Sequence, residues 1–261
     1  MNALAARRRH PAAIAILLFL GLALVGTAYS LLAPKPAQAA VATADDAELG
    51  KQLFLANCAT CHGLNAEGTK SGPTLMGVGA ASVDFQVGTG RMPLAGPNVQ
   101  APRIDTVKFT EEQIAAMAAY VASLAPGPAI PDAKLTSGEG GDVALGGEIY
   151  RVNCAMCHNF AGSGGALTRG KYAPSLYGVD GKYVYEAMIT GPQSMPVFND
   201  TNLNPEAKAS VIAYLKATQA EPNVGGMTLG NLGPVSEGMF VWIFGLLLMI
   251  ACAFWLGQKA A

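Results

Sequence analysis

Two stretches of this sequence bring together residues that can do chemistry as a group. Residues 50–62, GKQLFLANCATCH, end in Cys58, Ala59, Thr60, Cys61 and His62. Residues 146–158, GGEIYRVNCAMCH, end in Cys154, Ala155, Met156, Cys157 and His158. Both read C-x-x-C-H. Two thiols at that spacing can form thioethers with the two vinyl groups of one haem, and the next histidine then lies under the iron. A bare C-x-x-C also serves zinc sites and redox dithiols. A structural zinc held by the four cysteines would leave both histidines unexplained, so haem attachment is the better reading. Two covalently bound haem c groups are expected, one on Cys58 and Cys61, the other on Cys154 and Cys157. The copies also share Gly50/Gly146 and Asn57/Asn153, with Leu53/Ile149 and Phe54/Tyr150 alike in kind.

Histidine supply limits the iron ligands. There are three histidines, His10, His62 and His158, so each iron has one, His62 or His158, and bis-histidine ligation within the chain is excluded. The sixth ligand is a methionine, another donor or nothing. Met156 lies inside its haem motif, too close along the chain to reach the opposite ring face. Met117 and Met188 fall in helical patterns and read as core. Met76 aligns with Tyr177, and Met227 lies in a loose stretch. Met92 and Met195 recur, each in a Gly-containing loop and each followed by proline (Pro93, Pro196), which fixes the local backbone. They are assigned to the irons of haem 1 and haem 2. His/Met ligation saturates the iron and raises its potential, which suits electron transfer and leaves no open site for peroxide or O₂. No nucleophile–base set appears. Arg91 and Arg103 are candidates for haem propionates, with solvation the simpler reading of arginines in loops.

Elements must position these residues. The chain of 261 residues allows one large domain or two small ones. Net charge −1 gives no reason to expect nucleic acid as a partner. Only 13% of residues are charged and 51% are hydrophobic, with mean hydropathy +0.30, which points to membrane segments. The fifth cysteine, Cys252, lies in an apolar run and reads as a small buried hydrophobe, so no disulfide framework is available.

A basic leader (1–11, with Arg7, Arg8 and Arg9) precedes an apolar segment, 12–32, long enough to span a bilayer. The positive cluster keeps the leader cytoplasmic and sends the body across. The segment reads as an uncleaved anchor. The h-region of a signal peptide is the alternative, since Ala37-Gln38-Ala39 has the form of a cleavage site. A linker (33–45) leads to domain 1 (46–125), a Pro/Gly-rich linker (126–142) to domain 2 (143–219), and a loose stretch (220–238) to a second apolar run (239–257) and a short tail (258–261). Trp242 and Trp255 sit near the ends of that run, as suits membrane interfaces, and Lys259 follows it. The run reads as a transmembrane helix, a buried core helix being the alternative. Both termini are then cytoplasmic if the first segment is retained.

Each domain repeats one order. A helix (Asp46–Asn57 in the first) leads into the haem motif, where Gly50, recurring as Gly146, implies close approach of another helix. Loops follow, then a closing helix. In domain 1 that helix runs from Glu111 to Leu124, with Thr110 and Gln113 forming a capping box. In domain 2 it starts at Asn204-Pro205-Glu206 and runs to about Thr218. Tyr120 and Tyr214 match. This is a domain duplication.

Each half resembles a class I cytochrome c: N-terminal helix, C-x-x-C-H, a Pro-Thr/Ser-Leu-x-Gly loop, a Met-Pro loop and a C-terminal helix with Tyr. The implied fold is all-α, two tandem class I cytochrome c domains between an N-terminal hydrophobic segment and a C-terminal transmembrane helix. In that family the first and last helices cross near the glycine and the aromatic residue, here Gly50/Tyr120 and Gly146/Tyr214. The whole arrangement resembles the dihaem cytochrome c subunit (cytochrome cc) of the actinobacterial cytochrome bc1 complex. That resemblance implies an electron-transfer subunit of a quinol–cytochrome c reductase with no substrate chemistry of its own. It would sit with cytochrome b in the cell membrane, take electrons from the Rieske iron–sulfur subunit during menaquinol oxidation and pass them to a cytochrome aa3 oxidase. The alternatives are a membrane-anchored dihaem shuttle resembling cytochrome c4, a cytochrome subunit of a periplasmic dehydrogenase, and a dihaem peroxidase, the last disfavoured by the lack of spare histidines.

Overall fold

The computed structural model describes residues 11–32, 44–96, 98–220, 229 and 234–259. The basic leader up to His10, the Ala37–Ala39 segment, and most of the stretch after Ala220, Met227 included, lie outside the described residues. The chain divides into two units, residues 1–37 and 38–261. In the first, helix α1 (Pro11–Leu32) has 22 residues, about 33 Å at the usual rise and so enough for a hydrocarbon core.

The second unit holds both haem-motif domains. Helix α2 (Ala44–Asn57) delivers the chain to Cys58 and a one-turn helix α3 (Ala59–His62). Helix α4 (Gly79–Gly88) and helix α5 (Glu111–Leu124) complete the domain. The expected capping box is present: Thr110 accepts from the Gln113 N–H and the Gln113 side chain accepts from the Thr110 N–H. Helices α2 and α5 cross at Gly50, where a Cβ would land on the Ala116 carbonyl. One turn on, Phe54 packs on Tyr120 with ring centroids 5.3 Å apart. A glycine is needed here because contact is backbone to backbone. Helix α4 escapes sequence reasoning: it is short, begins and ends on glycine, and is defined by the burial of Ala81, Phe85 and Val87.

Domain 2 repeats the plan. A short helix, α6 (Ala133–Thr136), lies within the expected linker, its start capped by Asp132. Helix α7 (Val143–Asn153) is capped by Asp142 and leads to the one-turn helix α8 (Ala155–His158). Two-residue antiparallel strands β1 (Gly165–Ala166) and β2 (Tyr172–Ala173) form a small ladder, an addition to an otherwise helical fold. Helix α9 (Gly181–Thr190) and helix α10 (Pro205–Ala220) follow, the latter with the Ala207 N–H donating to Asn204 Oδ1 at 2.8 Å. Helices α7 and α10 cross at Gly146, where a Cβ would meet the Ser210 carbonyl, and the Tyr150 and Tyr214 rings lie 5.4 Å apart.

The two domains meet through α4 and α9. Lys182 pairs with Asp84 at 2.7 Å, and Phe85 meets Tyr183 edge-on at 6.4 Å. The Gln100 side chain donates to the Tyr172 carbonyl (2.8 Å) and accepts from the Tyr172 N–H (2.9 Å). Helix α11 (Pro234–Lys259) is apolar and exposed along its length, unlike a core helix. Cys252 is therefore exposed on α11, correcting its reading as buried: an apolar run covered by protein and one facing lipid have the same composition.

Candidate haem sites

Each C-x-x-C-H motif is a single helical turn. Cys61 and His62 donate their N–H groups to the Cys58 carbonyl at 3.1 and 3.0 Å, and Cys157 and His158 do the same to Cys154 at 3.1 and 2.9 Å. On such a turn positions i, i+3 and i+4 share one face. Both thiols and the imidazole of each motif are thus presented to the same side. No described cysteine is in a disulfide. Burial, reinforced by the neighbouring Cys157, pushes the Cys154 thiol up to about 11, and burial and Cys61 raise Cys58 likewise. A redox dithiol needs the opposite shift.

The histidines are held identically. His62 Nδ1 lies 2.7 Å from the Pro73 carbonyl and His158 Nδ1 lies 3.0 Å from that of Pro174. A carbonyl only accepts, so Nδ1 carries the proton and Nε2 keeps its lone pair for a metal. Burial pushes the His158 imidazole down, against the pull of the Pro174 bond, so it stays neutral. The prolines are fixed in turn by equivalent bonds: Leu75 N–H to Ala66 O and Leu176 N–H to Gly162 O, both 2.8 Å.

Met92 is half-buried in an apolar cluster with Cys58, Leu53, Ile114 and Met117, and its N–H donates to the Gln86 carbonyl at 2.9 Å. Met195 packs near Tyr185, Met188 and Ile212 and lines one cleft together with Cys154, Cys157 and His158. The cleft has a cavity volume of about 140 Å³ and opens to solvent at its mouth. Of the other methionines, Met117 and Met188 are buried in these clusters, Met188 also lining the cleft, whereas Met76 and Met156 are exposed, Met156 by 90%.

Domain 1 also lines the domain 2 cleft, through Phe85, Gln100, Arg91 and Arg103. Arg103 is exposed, but Arg91 is only 8% exposed and sits over the Phe85 ring at 4.7 Å. The solvated reading of Arg91 is thereby corrected. Its burial depends on the second domain, which no local signal in the sequence announces. Sequence reasoning also missed Glu186. It is fully buried at the domain contact, and its carboxyl is pushed up to about 10 by burial first and by Asp84 second. No donor reaches either Glu186 oxygen. In its protonated form the carboxyl can donate toward Asp84.

These residues fit a haem c in each domain: thiols and imidazole on one face, a thioether among the apolar side chains, and, at the second cleft, a buried cation. Comparison with known proteins agrees. Residues 47–125 match the family described as Cytochrome c, and residues 141–215 that described as Cytochrome C oxidase, cbb3-type, subunit III. The chain is 43% identical to the cytochrome bc1 complex cytochrome c subunit of Corynebacterium efficiens, over 97% of this chain and 90% of the relative. It is 44% identical to the subunit of the same name from Mycobacterium tuberculosis, over 94% of this chain and 90% of the relative. The chain belongs to the family of cytochrome bc1 complex cytochrome c subunits. A Cbb3-type cytochrome c oxidase subunit CcoP from an Azospirillum species is 30% identical over 54% of this chain and 52% of its own length. As a member of the bc1 cytochrome c subunit family with two cytochrome c domains, the chain carries covalently bound haem c and serves electron transfer.

Proposed function

We propose that this chain relays electrons one at a time within a membrane-bound bc1 complex. It takes them from a Rieske iron–sulfur subunit during menaquinol oxidation and delivers them to a cytochrome aa3 oxidase. The observation that carries the reading is two haem sites of one plan in a single compact unit of a chain with full-length similarity to bc1 cytochrome c subunits. Bound haem supplies one-electron chemistry at iron. The chain's part is to hold it. Cys58 and Cys61, and Cys154 and Cys157, attach the rings. His62 with Met92, and His158 with Met195, ligate the irons. The Pro73 and Pro174 carbonyls orient the imidazoles.

Segments 12–32 and 239–257 are the membrane spans, and both haem domains lie on the extracytoplasmic side, beside cytochrome b. Purification in mild detergent tests the reading: cytochrome b, the Rieske protein and oxidase subunits are expected with the chain. Recovery of the chain alone at high yield, with its two haems intact, would instead favour a membrane-anchored shuttle.

A further inference from the structure

Arg91 presents a charge without a counter-charge. Its side chain is buried, yet among the described residues no carboxylate pairs with it and its guanidinium makes no hydrogen bond within the protein. A buried cation is tolerated when an anion meets it. A second guanidinium, Arg103, lines the same cleft from the same loop and opposes the charge on Arg91. Two like charges facing one cleft call for an anionic occupant. The cleft is the one lined by Cys154, Cys157, His158 and Met195, and the loop bearing both arginines is tied to domain 2 by the paired Gln100–Tyr172 hydrogen bonds.

We propose that Arg91 and Arg103 of domain 1 bind the propionate carboxylates of the haem carried by domain 2, so that the second haem site is built from both domains. The proposal rests on the haem reading of the second motif. A planar guanidinium fork suits a carboxylate in a way an ammonium does not. Arg91 is followed directly by Met92, which packs among the apolar residues around Cys58. Consecutive side chains thus serve different haems, Arg91 the second and Met92 the first.

The test is a spectroelectrochemical titration of the full chain in detergent, resolved into two one-electron components. The domain 2 component is the one missing from Cys154→Ala/Cys157→Ala protein. Removing a cation beside a haem favours the ferric form, so Arg91→Gln lowers the midpoint of that component and leaves the other nearly unmoved. Arg91→Lys keeps the charge without the fork and falls between. Arg103→Gln, at an exposed position that leaves the core intact, gives a smaller shift of the same sign and decides the matter should Arg91→Gln fail to fold. A shift confined to the domain 1 haem, or none in any variant, with two haems per chain still counted by pyridine haemochrome, overturns the proposal. Fewer than two haems in the unaltered chain would overturn the underlying haem assignment instead.

Discussion

Lys182 holds Asp84 at 2.7 Å across the contact between the two cytochrome domains, and Glu186, one turn further along the Lys182 helix, is buried against the same carboxylate. Lys182 and Asp180 also act on Glu186, the first lowering and the second raising its pKa. The folded chain keeps a proton on Glu186 that the unfolded chain releases near its ordinary value of 4.5, whereas the folded pKa is about 10. Between those values folding takes up a proton, so stability is highest at the acid end and falls as pH rises, by at most about 1.4 kcal/mol per pH unit. Glu186→Gln should remove this dependence and be the more stable protein at pH 8. Thermal unfolding of the two proteins at several pH values is the measurement. An unchanged slope in the variant would show that the group does not titrate as described.

The crossing at Gly50 leaves no room for a methyl group, and Gly146 repeats it. Gly50→Ala or Gly146→Ala must push two helices apart at their backbones, at a cost of about 3 kcal/mol. Denaturant unfolding of each variant measures this. A variant as stable as its parent would mean that the crossing yields easily.

Replacing Met92 or Met195 should abolish the weak iron–thioether charge-transfer band of one oxidised haem while leaving the other. Met117→Ala and Met188→Ala serve as contrasts. Both residues are 2% exposed, so their truncation should cost roughly 2–5 kcal/mol of stability with both bands retained. A variant at Met92 or Met195 with an unaltered spectrum would reject that ligand.

Lys208 is fully buried, donating to Asp200 and to the Leu203 carbonyl, both at 2.6 Å. Asp200→Asn replaces that cation's counter-charge with a neutral acceptor. The loss should be about 2 kcal/mol, below the usual cost of breaking a buried pair because the Asp200 side chain is itself largely exposed. A denaturant midpoint equal to that of the parent would contradict it.

Much of this was legible in the chain. C-x-x-C-H spacing is a local property, and one turn of helix turns it into a shared face. Gly50 and Gly146 stood out because glycine weakens a helix unless something needs the space. Thr110 and Gln113 act on their own helix end and so could be read directly. The contact between domains was not legible. Asp84, Arg91 and Glu186 carry no local sign of their burial, since each depends on residues far away in sequence. Helix α4 was hidden by its terminal glycines, and Cys252 by a composition that does not distinguish lipid from core.

The double hydrogen bond between Gln100 and Tyr172, with the Lys182–Asp84 pair beside it, also has a kinetic meaning. A diffusing carrier must find and dock its partner, so its transfers depend on concentration and weaken with screening of charge. Under the proposed relay, two domains already docked would exchange electrons as a first-order process, indifferent to dilution.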